Sequence, residues 1–310
     1  MQLILSLKQV IIVFLLMLVG FGCKKADFIH DVTVKDLTNL LLYIVSPCLI
    51  INSFLVTFSK KNFKIFLLAL LASVVVFIIG IIIAKLFFGK EQQRQTRAVL
   101  KYSTVYSNAG FMGIPLVQAF LGSKGVFFSV PFLVVYNLFM WSHGIRLFTS
   151  KDSQKFSEQV RSLIFNPNII AAILGIIIYL IQFKLPNILH TPLIYLVNVN
   201  TPLSMLVIGS NLSKISLREV FNDKTCWKGT MLRNLFVPLI SMIVLKGFML
   251  NKIAYVALVI MISCPVAGVV VLFSILNNFD VKLPTKLLCL STIVSVITIP
   301  LMLCLADLIS

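Results

Sequence analysis

The chain has 310 residues, of which 59% are hydrophobic and only 12% charged, and its mean hydropathy is +1.03. A soluble domain of this length has no interior able to hide so much apolar surface, so the composition excludes an ordinary aqueous fold and makes lipid the solvent. The net charge of +17 would suit a nucleic-acid binder, but where the basic residues fall argues against that partner.

Windows about one bilayer long give ten apolar spans in chain order: 3–23, 37–57, 63–88, 98–121, 125–148, 166–183, 191–212, 230–249, 253–276 and 286–308. The first has an uncharged start and no small-residue cleavage site after it. It therefore reads as a retained helix rather than a signal peptide, and Phe21 is too bulky for a lipoprotein box at Gly20–Cys23. Most of the 27 Lys and Arg residues lie in or beside loops that follow odd-numbered spans, including the polar segments 149–165 and 213–229. Basic loops stay in the cytoplasm, so both termini are predicted outside a multi-pass cell membrane. The excess of Lys over Arg, with abundant Ile and Asn, suggests a bacterial source. The six cysteines are scattered, with no CxxC and no histidine cluster, and read as fillers between helices rather than disulfides or metal ligands. No cofactor is expected.

Segment 151–165 falls halfway through the count of spans, between a first unit at 1–150 and a second at 166–310. Five spans per half make the second run through the membrane in the opposite sense, the pattern of an inverted repeat. Pro47 and Pro115 in spans 2 and 4 are matched at nearly equal spacing by Pro202 and Pro265 in spans 7 and 9. Pro47 and Pro202 read as kinks. Pro115 and Pro265 read as true interruptions, because Gly110, Gly113 and Asn108 attend the first and Gly268 and Ser263 the second.

An interrupted helix leaves main-chain groups unpaired at membrane depth, at a cost of several kcal/mol each. If both breaks meet near the midplane, the half-helices that follow them aim their positive N-terminal ends at one point, which would attract an anion. All ten carboxylates fall in loops or at span ends, so the intramembrane acid of a cation or proton pump is missing. Asn108 could cap the broken helix or hold a carboxylate, and Asn137 in span 5 is a second candidate ligand. His143 is the only group in any span that titrates near neutral pH, so it is a candidate proton carrier, although a solvated residue is the commoner case. Lys101 and Arg233 read as snorkelling side chains, or as attractors of an anion into the vestibule.

The stretch YSNAGFMGIPL at 106–116 resembles the fourth-helix signature Asn-x-Gly-Phe-x-Gly-x-Pro-Leu of the auxin efflux carrier family, which includes plant auxin exporters and bacterial malate and malonate permeases. FNPNIIAAILG (165–175), TPLSMLVIGSNL (201–212), CPVAGVVV (264–271) and STIVSVITIPL (291–301) resemble its sixth, seventh, ninth and tenth helices in order. The resemblance implies an all-α membrane protein of ten helices in two inverted five-helix repeats, with broken helices 4 and 9 crossing at a carboxylate site. It further implies a scaffold of helices 1, 2, 6 and 7, often a homodimer contact, and a moving unit of helices 3–5 and 8–10. By motif, Asn108, Gly110, Gly113 and Pro115 match the first broken helix and Pro265 the second, while Asn137 fits a polar position in helix five.

The expected function is secondary active transport of a small mono- or dicarboxylate by alternating access. The rivals are a sodium-coupled carrier on the bile-acid-symporter pattern, with sodium at carbonyls freed by the breaks, and a non-transporting receptor on the same fold. An intramembrane enzyme has little to stand on: there is no paired aspartate and no HExxH, and Ser142 and His143 point to different faces of a helix.

Overall fold

The computed structural model describes residues 2–149, 165–213 and 217–309, and every regular element among them is helical. The predicted cytoplasmic connection 151–165 lies outside the described residues apart from Phe165. In chain order the helices are α1 (Gln2–Lys25), α2 (Asp31–Phe54), α3 (Lys60–Phe88), α4 (Arg94–Val105) and α5 (Ala109–Gly144). They continue with α6 (Pro167–Ile181), α7 (Asn187–Leu212), α8 (Leu217–Phe221), α9 (Lys224–Lys246), α10 (Lys252–Ser263), α11 (Val269–Leu276) and α12 (Lys282–Ile309). Six of these, α2, α3, α5, α7, α9 and α12, are long and apolar enough to cross a membrane, and α6 and α10 are apolar but shorter.

Helix starts follow local chemistry. Ser59, Asn166, Asp223 and Asn251 each place a side-chain oxygen on amides of the first turn they precede, meeting donors the helix cannot satisfy itself. Prolines have a second signature. Pro47, Pro115 and Pro238 each follow a widened π-type turn, at Leu41–Val45, Ala109–Gly113 and Leu232–Phe236. A proline ring collides with the carbonyl four residues back, and widening that turn makes room without ending the helix. Pro202 lies inside the continuous α7, so neither it nor Pro47 interrupts its helix.

The expected interruption of span 4 is found, but several residues before Pro115: residues 98–121 form two arms broken at Tyr106–Asn108, and a kink at Gly122 separates the second arm from span 5. Gly122 has φ 61 and ψ −160, a non-helical region closed to residues with a Cβ, so glycine allows the chain to leave one helical arm and enter the next without a longer loop.

Helices α1 and α7 touch backbone to backbone. A Cβ on Gly209 would lie 1.8 Å from the Met17 carbonyl oxygen, and one on Gly20 would lie 2.3 Å from that of Leu206. Ser210 Oγ, one residue from Gly209, donates to Gly20 O at 3.1 Å. Small residues permit this approach, and in lipid, close packing and interhelical hydrogen bonds do the work that apolar burial does in water. At the far end of α2, the rings of Phe54, Phe66, Phe127 and Tyr179 knit α2, α3, α5 and α6 together, and Ser59 N donates to Tyr179 OH at 2.9 Å. Helix α10 sits at the centre: Ala257 through Ile262 are all buried, as expected of a helix apolar all round.

Asp223 offers a surface test. Burial would raise its pKa, but the amides of Cys226 and Thr225 and the Lys286 ammonium 3.4 Å away hold it below the usual carboxylate range. A lowered folded-state pKa gives stability that is present at neutral pH and lost as pH falls through that value. Asp223→Ala should cost about 1 kcal/mol at neutral pH, and melting curves of the two proteins should converge in acid.

Candidate functional site

The two interruptions meet. Tyr106–Asn108, between α4 and α5, lies alongside Cys264–Gly268, between α10 and α11, with Ser107 and Val266 forming an isolated antiparallel β-bridge. Asn108 N donates to Pro265 O at 2.7 Å, and Ala267 N donates to Tyr106 O at 3.0 Å. Val266 N donates to Ser291 Oγ of α12 at 3.0 Å. The groups expected to stand unpaired at the breaks are thus partly satisfied by each other, which lowers the cost of building the crossing before any ligand arrives. Gly113 lets the crossing close: a Cβ there would lie 2.8 Å from Met261 Sδ and 3.4 Å from Cys264 Sγ. Pro115, in the first turn after the widened segment, has no amide to leave unpaired there.

The crossing has two chemically opposite sides. On one, α4 and α10 end and present carbonyls. On the other, α5 and α11 begin and present amides with no preceding turn to accept them. The amide side opens into a cavity of about 250 Å³ lined by Asn108 and Phe111 of the first break, Gly268, Val269 and Leu272 of the second, and residues of three further helices. Helix α7 contributes Val207, Ile208, Asn211 and Leu212, α2 contributes Thr38 and Leu42, and α12 contributes Leu288 and Thr292. The lining is mostly apolar with a few convergent polar groups, as small-molecule sites are. No lining residue carries a charge.

Asn108 is 7% exposed, and its side chain makes no capping bond to the helix it precedes. Of the two roles open to it from sequence, the cap is not the one it takes in this conformation. Thr38 and Thr292 each donate their hydroxyl to the carbonyl four residues back, Val34 O and Leu288 O, which leaves oxygen lone pairs, not protons, for the cavity. Asn108 and Asn211 are then its side-chain N–H donors. Cβ atoms on Gly110 and Gly268 would meet nothing within 4 Å, so both glycines leave open space beside the helix starts.

The remaining expected residues fall elsewhere. Asn137 is away from the cavity with both ends of its amide in use: Nδ2 donates to Leu133 O at 2.8 Å, and Oδ1 accepts from Asn166 Nδ2 at 3.1 Å, tying α5 to the start of α6. Ser263 is buried behind the crossing, and among the described residues its hydroxyl has no hydrogen-bond partner. His143 Nδ1 lies 3.0 Å from Tyr106 OH, which donates to Phe139 O at 2.8 Å. Ser142 Oγ bonds to Leu138 O instead, so the adjacent Ser and His share no hydrogen bond. Lys101 is half-buried on α4 and does not reach the cavity.

Arg233 overturns its sequence reading. It does not snorkel: it is 1% exposed and lies under the crossing, on the π-type turn of α9. Its Nη1 donates to Thr104 O and Val105 O at 3.0 Å each, and its Nη2 to Ile262 O. Arg233 was placeable from sequence only as a charge near a span end. Thr38, Asn211 and Thr292 carried no local signal, because single polar residues are common in membrane helices.

Comparison with known proteins identifies the family. The profile of a family described as membrane transport protein matches residues 5–303. An uncharacterized transporter of Methanocaldococcus jannaschii is 26% identical over 94% of this chain and 96% of its own. An uncharacterized transporter of Methanothermobacter thermautotrophicus is 29% identical over 65% of this chain and 66% of its own. With apolar helices, a fourth-helix signature and a family match over nearly its whole length, the chain belongs to the membrane transport protein family, that of the auxin efflux carriers.

Proposed function

We propose that this protein is a secondary carrier of a small organic anion, a mono- or dicarboxylate, bound in the cavity where α5 and α11 begin. The observation that carries the reading is the convergence of two helix N-termini and of the Asn108 amide, which does not cap its own helix, on an apolar cavity with no charged residue in its lining. Each helix start contributes about half a positive charge, and in a medium of low dielectric that is a strong attraction for a carboxylate. Apolar walls then select for a small, partly hydrophobic anion.

The same proposal takes the chain as ten spans in two inverted five-helix units, 1–150 and 166–310, with the breaks at equivalent places. Cavity residues from α2 and α7 belong to its scaffold, together with α1 and α6, through which a homodimer would form. Those from the crossing and α12 belong to its moving unit. Sliding one unit against the other would expose the cavity alternately to each side. With the basic loops inside and both termini outside, this conformation faces the cytoplasm, because the cavity lies near the ends of α2, α7 and α12 that border those loops.

Thermal stabilisation of the purified protein by a panel of carboxylates tests the site. At least one should raise the melting midpoint, and Asn108→Ala should weaken it by about 10- to 100-fold, the loss of a hydrogen bond to a charged group. Equal binding by Asn108→Ala, or stabilisation by organic cations alone, would refute the assignment.

A further inference from the structure

The side of the crossing opposite the cavity has a ligand of its own, built into the chain. Helices α4 and α10 both end there, and each C-terminus carries about half a negative charge on carbonyls that have no following turn to donate to them. Two such ends sum to about one negative charge. The Arg233 guanidinium brings one positive charge and divides its donors between them, Nη1 to Thr104 O and Val105 O, Nη2 to Ile262 O. A buried arginine with no carboxylate partner is costly, and among the described residues Arg233 takes part in no ion pair. The carbonyls of the two helix ends are its counter-charge.

We propose that Arg233 is a resident counter-ion for the crossing, filling the place where a coupling cation would otherwise bind, and that the protein consequently moves its anion without sodium. The freed carbonyls that could have held sodium are engaged by a charge that cannot leave, and a second cation beside them would meet a guanidinium in a low-dielectric interior. Five donors in a planar fork suit this task better than an ammonium, because carbonyls from two separate helices must be reached at once. Arg233 is therefore a positioning residue: it holds both breaks in register so that the amide side keeps its shape.

Its transport arm rests on the anion-carrier reading, whereas its melting arm does not, so the two can fail separately. Replacing sodium by choline at constant ionic strength should leave both the melting midpoint and the uptake of carboxylate by wild-type proteoliposomes unchanged. Arg233→Ala should lower the midpoint by about 5–10 °C, with partial recovery on addition of guanidinium ion or sodium, either of which fits the emptied carbonyl cage. Arg233→Lys keeps the charge but not the fork and should fall between the two. Saturable stabilisation of the wild type by sodium would overturn the proposal. So would an Arg233→Ala protein that melts with the wild type. If Arg233→Ala does not fold, the wild-type sodium comparison and Arg233→Lys still decide it.

Discussion

Gly268→Phe is expected to cut uptake by about 100-fold or more while leaving the melting midpoint of the protein almost unmoved. The separation of the two readouts follows from geometry. Gly268 has φ −60 and ψ −19, an ordinary helical conformation open to any residue, and a Cβ there would meet nothing within 4 Å. The space it would enter is the cavity itself, of about 250 Å³, and a benzyl group would project into it beside the two helix starts. Gly113→Phe provides the contrast, because its side chain would be driven into Met261 and Cys264 at the crossing and should lower stability as well as uptake. Undiminished uptake by Gly268→Phe would show that substrate does not pass through this cavity.

A loss of stability as large as that of Arg233→Ala should come from Gly209→Ala. The added methyl would sit 1.8 Å from the Met17 carbonyl oxygen and 2.7 Å from its carbon. Both are main-chain atoms in the middle of a helix, so no side chain can swing aside; α1 and α7 must separate by more than an ångström along their whole contact. Overpacking of this kind costs about 1–3 kcal/mol where neighbours can adjust, and here they cannot. A fall of about 5–10 °C in the midpoint, or failure to recover folded protein, is expected. Gly22→Ala serves as the control, because a Cβ at Gly22 has nothing within 4 Å and should leave the midpoint in place. Equal midpoints for Gly209→Ala and wild type would mean that α1 and α7 are not in close contact.

Much of the helical order was legible because the spans are written as long apolar stretches, and the two clusters of proline, glycine and a polar residue mark the breaks. The capping oxygens at Ser59, Asn166, Asp223 and Asn251 refine the helix starts to the residue. That the two breaks meet was expected from their matched prolines and from the resemblance; the register of the meeting was not legible, because nothing local marks Ser107 and Val266 as the pair that bridges. Arg233 was misread for the same reason: its acceptors are main-chain carbonyls, and a sequence does not show which carbonyls a tertiary contact will leave free. A buried amide such as Asn137 looks alike in sequence whether it holds a ligand or a neighbouring helix, and in this conformation Leu133 and Asn166 engage it. The kink at Gly122 falls between the expected spans 98–121 and 125–148, so that boundary was legible, whereas the non-helical backbone that makes it was not.

The central claim is that an organic anion binds where two helix starts converge, and uptake specificity tests it most directly. Wild-type proteoliposomes should be presented with labelled mono- and dicarboxylates, organic cations and neutral sugars under an imposed membrane potential. Accumulation of at least one carboxylate is predicted, with competition from other carboxylates only. Uptake of a cation or sugar in place of any carboxylate would contradict it.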